Sequence, residues 1–273
     1  MIKISYKHIL VFLLLIIFSI QCTNDNEEEL EESICFIEPA PDAYNYPIKP
    51  GMPEWEELNT SAEMDSALQI PEDVLNNIST EGLVETVLNY PRFIDLYFID
   101  NYQHAFDILA GNFNGFQELM DRKDSGIELF ERFKQMYPGC KDNNNWPSIG
   151  EPGSSASFAF TYIEIIIAQY DILNQYNNEE LIKLLNEATT KYKLKQRYDY
   201  GIFCEKHSVL IAGRILHLID YTPFIEEYNN NFYIKDFIDK VKLNNNFSTL
   251  DLVNDYAKNY LNQLNDENTK THN

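Results

Sequence analysis

The stretch at 158–173, FAFTYIEIIIAQYDIL, constrains this chain more than any other. It is apolar on nearly every side, so no face of it can be left to water. Its β-branched residues leave a buried strand open, but sixteen residues favour a buried helix. A second segment, 205–219, is almost as continuously apolar. Both belong at the centre of the fold, next to each other. Each carries charge: Glu164 and Asp171 on the first, Arg214 with His207 and His217 on the second. A buried charge without a partner costs far more than a paired and hydrogen-bonded one. Arg214 presents five donors in a planar fork suited to a carboxylate. The expected centre is therefore a structural Arg214–Glu164 ion pair, with Asp171 as the second choice.

The rest of the body is punctuated for helices. Thr60 with Glu63, Asp100 with Gln103 and Ser125 with Glu128 each make a capping-box pattern. Pro71 suits the first turn of a helix at 72–77. Ser79 or Thr80 opens another that Pro91 closes, and 101–110 stops at Gly111. Asn112 or Asn114 lies near the start of the next, marked by Phe116, Leu119 and Met120. Ile127, Phe130, Phe133 and Tyr137 keep helical spacing up to Pro138-Gly139. Further helices are expected at 179–195, 205–219, 232–243 and 248–264. The Asn runs at 143–145, 229–231 and 244–246 read as turns, because Asn tolerates left-handed backbone. No Asn-Gly or Asp-Gly hairpin signal occurs, and 10 Gly and 11 Pro are too few for a turn-dense β-fold. The reading is all-α: about ten short helices in antiparallel hairpins, forming a helical array or irregular bundle. The irregular connection at 141–157 is either a linker between two domains or a large loop on one body, and one body is preferred.

Two lysines, Lys3 and Lys7, are the only charges in the first 21 residues. Ile9 to Ile20 follows as twelve residues without a charge. At ~1.5 Å per residue this is too short for a ~30 Å bilayer core. It has the proportions of a signal-peptide apolar region behind a basic start. Cys22 stands directly after it, and the conjunction resembles the signal of bacterial lipoproteins. In that family Leu stands three residues before the cysteine and a small residue immediately before it; here those places hold Ser19 and Gln21. The resemblance covers the first 22 residues. It implies that Cys22 becomes the lipidated first residue, held in an outer membrane or at the cell surface. The next eleven residues carry Asp25 and the carboxylates of Glu27, Glu28, Glu29, Glu31 and Glu32. Such a run repels itself and stays solvated as a tether. It also looks like the acidic export signals of some surface-displayed lipoproteins.

The domain reading is a signal peptide at 1–21, a lipid-anchored acidic tether and proline-rich strap at 22–58, and an all-helical domain at 59–273. Tyr44, Tyr46, Ile48 and Trp55 are expected to pin the strap to the body. Cys35, Cys140 and Cys204 allow at most one disulfide, with the pairing open.

The formal charge of -22, from 43 acidic and 21 basic residues, argues against a nucleic-acid binder, which needs Lys and Arg for phosphates. No cofactor and no metal is expected: His104, His207 and His217 form no i,i+4 pair and no Cys-x-x-Cys occurs. No catalytic residues are assigned, because neither a nucleophile elbow nor a phosphate-binding loop is present. The leading expectation is a lipid-anchored envelope module that binds or scaffolds an envelope protein or an extracellular ligand. The alternatives are an envelope hydrolase built on Glu164, Arg214 and His217, and a glycan-binding surface protein using exposed aromatics such as Trp146. Most of the 18 Tyr and 17 Phe fall at core spacings.

Overall fold

The computed structural model describes residues 35, 37–140 and 156–271, except for the side chains of 156, 157, 268, 270 and 271. The signal segment, Cys22, the acidic run and Trp146 lie outside the described residues. Within them the chain is all-α, with fourteen α-helices, two 3-10 helices and no strand.

The first half is a set of short helices: α1 (Pro53–Glu56), α2 (Ser61–Ala67), α3 (Glu72–Leu75), α4 (Thr80–Leu88), α5 (Tyr102–Asn112), α6 (Asn114–Asp121) and α7 (Ser125–Gln135). A 3-10 helix, Phe93–Phe98, separates α4 from α5, and another, Pro138–Cys140, follows α7. The Thr60–Glu63 capping box closes as expected, with Thr60 Oγ1 accepting from Glu63 N and the Glu63 carboxylate taking Thr60 N–H. The other two boxes do not form. Asn101, not Asp100, caps α5, and Asp124 precedes α7 in helical backbone without a side-chain cap. Gln103 is instead drawn inward to Arg214 and Gln169.

The second half holds the centre: α8 (Ala156–Ile167), α9 (Tyr170–Leu173), α10 (Asn178–Arg197), α11 (Ile202–Leu218), α12 (Thr222–Asn230), α13 (Phe232–Lys240) and α14 (Ser248–Thr271). The expected single helix at 158–173 is two. The α8 helix ends at Ile167, and Gln169 is extended at φ -68, ψ 138. Side chains take over the freed carbonyls there: Gln169 Nε2 donates to Ile165 O at 2.6 Å, and Arg214 Nη1 to Ala168 O at 2.9 Å. The α12 helix was not expected. Its signals are Pro223 in the first turn and the buried i,i+4 pair Phe224 and Tyr228.

The α11 helix is the axis of the molecule. Every residue from Lys206 to Leu216 is buried, against α8, α10 and α14 along its length and α12 and α13 at its end. The α13 helix packs closely at Gly213, where a Cβ would lie 2.3 Å from Ile238 Cδ1. One hydrophobic core runs from Cys35 to Ala257, so both halves of the chain share it. Aromatic rings fill much of it, with Phe93 stacked on Tyr162 at 4.0 Å and Tyr90 on Phe113 at 4.2 Å.

The strap belongs to this core. Tyr46 is buried and its hydroxyl donates to Thr86 O, and Tyr44 N–H donates to Thr86 Oγ1. Trp55 is half-buried in α1, so helix already begins within the segment read as strap. Cys35 is joined to Cys140, closing a loop of separation 105, and Cys204 is free and buried.

Candidate functional site

Two polar constellations meet α11, and they differ in access to solvent. The inner one is sealed. Glu164 on α8 and Lys195 on α10 are both 0% exposed and paired at 2.5 Å. Ser208 on α11 donates to the other Glu164 oxygen at 2.6 Å. Lys195 also reaches Cys204 O at 3.3 Å and sits over the Phe160 ring, 4.5 Å from its centroid. Burial raises the Glu164 carboxyl above its ordinary value, while Lys195 and Ser208 pull it back. Burial likewise pushes the Cys204 thiol up to about 11, which leaves it inert as a nucleophile.

This corrects the expected Arg214–Glu164 pair. Arg214 is buried but bonds to carbonyls: Ala168 O, Ile238 O and Gln103 Oε1, at 2.7 to 3.1 Å. It thereby ties α5, α8 and α13 to α11. Asp171, the second choice, is exposed. The physical reason is hairpin geometry. The α10 helix packs along α11 across the short 198–201 loop, which brings Lys195 to Glu164, while Arg214 lies further along α11. Lys195 was legible in principle. It stands seven residues after Ala188 and eleven after Leu184, on the stripe that α10 buries.

The histidines are dispersed. His104 is exposed, and His217 is half-buried with Nδ1 3.1 Å from the Tyr170 hydroxyl. His207 is sealed beside Tyr102; burial first, then Lys206 and Lys195, hold it well below the usual range and neutral. Among the described residues no group of three His, Cys, Asp or Glu side chains is placed to hold a metal ion.

The outer constellation is open. Ile202, Phe203 and Lys206 from the first turns of α11 face the segment from Tyr97 to Tyr102 and the loop after α13. The cleft between them has a volume of about 460 Å³. Phe203 and Phe247 stand at its mouth, 69% and 53% exposed. Lys206 forms the floor and is only 4% exposed. Its Nζ lies 3.3 Å from the Tyr102 ring centroid. Among the described residues it meets no carboxylate and no hydrogen-bond acceptor, and burial alone brings its ammonium down to about 7. Asp100 and Lys242 are the other charged residues of the lining.

The loop that closes the cleft is conformationally unusual. Val241 caps α13 in left-handed backbone at φ 58, ψ 36, an expensive state for a β-branched residue. Asn244 and Asn245 follow at φ 49 and φ 59, where Asn is tolerated, as the turn reading expects. Val241 is 1% exposed, so core packing holds the strained residue in place. Sequence reasoning missed Lys206. Its one sequence signal is a lysine inside an otherwise apolar helix with no acid at i±3 or i±4.

No protein-family model matches the chain, and neither a curated protein nor a solved structure matches it.

Proposed function

We propose that this chain is a lipoprotein of a bacterial envelope, held by a lipid on Cys22 at the outer membrane or cell surface, and that its helical body is a binding or scaffold module. One observation carries the reading: Lys3 and Lys7, twelve uncharged residues, Cys22 and an acidic run occur in that order. The Cys35–Cys140 disulfide supports it, because such bonds persist in oxidising compartments outside the cytosol. Anchoring by lipid also fits a body in which no single described helix is long and apolar enough to cross a membrane. The α11–α12 pair reaches that length only across a bend of 109°, and α11 is core. Binding rather than hydrolysis suits a polar centre in which Glu164 is wholly enclosed by the described residues.

The test is fractionation with metabolic fatty-acid labelling. Cys22→Ala moves the protein from the membrane to the soluble fraction and abolishes label. Neutralising Glu27, Glu28, Glu29, Glu31 and Glu32 lowers its accessibility to external protease with folding unchanged. Full labelling of Cys22→Ala would end the anchoring proposal.

A further inference from the structure

Lys206 is out of place as a purely structural residue. A buried ammonium without a counter-charge weakens a fold unless something else compensates. Two polar residues further along α11 are satisfied: Ser208 by Glu164, and Arg214 by backbone carbonyls and Gln103. Lys206 has the Tyr102 ring close beneath it, at 3.3 Å, and the Phe203 ring more distantly, at 5.7 Å, and neither contact supplies a counter-charge. Lys206 itself lines the cleft.

The surroundings favour an anion with an apolar body. The α11 helix begins at Ile202 after Gly201, which has φ 77, and its first-turn residues Ile202 and Phe203 line the cleft. Lys242 adds a second cation. The Glu205 carboxylate also lies in this first turn, where it accepts from Gly201 N–H and neighbours Lys195, Asp199 and Asp251, and it is not part of the cleft lining. Asp100 is the one acid in the lining. The walls between these charges are Tyr97, Ile99, Leu243 and the two exposed phenylalanines. A cleft of about 460 Å³ is the size that small-molecule ligands occupy.

We propose that this cleft binds a small molecule with a flat apolar body and a single carboxylate, the carboxylate on the Lys206 ammonium and the body between Tyr97, Phe203 and Phe247. The site deepens the binding-module reading and is independent of the lipid anchor. A bound carboxylate supplies the counter-charge that the fold withholds, and Phe203 and Phe247 lose exposed apolar surface on binding. Two cations against one acid fit a monoanion.

Calorimetric titration of the purified full chain with naphthylacetate, and with the neutral amide naphthylacetamide, tests this. The acid binds at least about tenfold more tightly than the amide, equivalent to ~1.4 kcal/mol. Lys206→Met binds both probes alike and remains folded, since the substitution removes an uncompensated buried charge. Lys206→Arg keeps the preference for the acid. Phe203→Ala, at an exposed position, weakens both probes together, which keeps the test decisive should Lys206→Met fail to fold. Equal affinity of the wild type for the two probes, binding of neither, or a preference that survives in Lys206→Met would overturn the proposal. Failure of the anchor is read separately, by fractionation.

Discussion

Replacing Glu164 by Gln tests the sealed centre most directly. The change keeps shape and the acceptor for Ser208 but removes the one carboxylate that, among the described residues, pairs directly with Lys195. Both residues are 0% exposed, so water cannot take over. Breaking a pair of this kind costs on the order of 3–5 kcal/mol, because one charge stays buried alone. A domain of this size is stable by roughly 5–15 kcal/mol, so the variant folds with a much-reduced margin. Guanidinium unfolding followed by circular dichroism should show a midpoint lower by roughly 0.5–1 M. Lys195→Met alone should cost a similar amount, for the converse reason. The double variant Glu164→Met/Lys195→Met replaces the pair with apolar side chains of similar length. It should therefore be far more stable than the sum of the single losses, at or near the wild-type midpoint. Arg214→Met combined with Glu164→Gln should show a smaller coupling, since Arg214 bonds to other groups. Additive losses for Glu164 and Lys195, or a Glu164→Gln cost below about 1 kcal/mol, would refute the argument that this pair is an obligate unit.

Two other perturbations have defined outcomes. Opening the Cys35–Cys140 bond by Cys35→Ser/Cys140→Ser should lower stability by about 3–5 kcal/mol, because a loop of separation 105 is released in the unfolded chain; an unchanged thermal midpoint would contradict this. Lys206 sets a pH dependence of known sign. Its folded value of about 7 lies below the ordinary lysine value, so between the two the unfolded chain holds a proton that the folded one has released. Stability therefore rises with pH across that window, by at most ~1.4 kcal/mol per unit. The groups facing Lys206 are Tyr97 and Tyr102, both held up by burial, His207, held neutral, and the wall residues Asp100 and Lys242. The midpoint gap by which Lys206→Met exceeds the wild type should be widest near about pH 6 and close toward about pH 10, and a gap that stays constant would contradict the assignment.

What the sequence by itself determined is what acts within a turn or two of helix. Apolar periodicity and the scarcity of strand signals made the chain all-α. The continuous apolarity of 158–173 and 205–219 placed α8 and α11 at the centre. The Thr60–Glu63 box closes because both partners lie in one turn. Asn244 and Asn245 turn left-handed because an Asn side chain tolerates that backbone. What only the tertiary structure decided is which distant group answers each local demand. That Glu164 needed a cation was legible, but Lys195 and Arg214 were both suitable, and the hairpin of α10 on α11 chose Lys195. Likewise one disulfide was permitted among three cysteines, and the path of the strap across the body chose Cys35 and Cys140. Asp100 lost the cap of α5 to Asn101, and Gln103 was drawn away to Arg214. The Lys206 cleft was least legible of all, since its walls come from three segments more than thirty residues apart. Helical spacing records which side of an element faces inward; the rotation and offset of helices against one another, set by packing of the whole core, decide which side chains then meet.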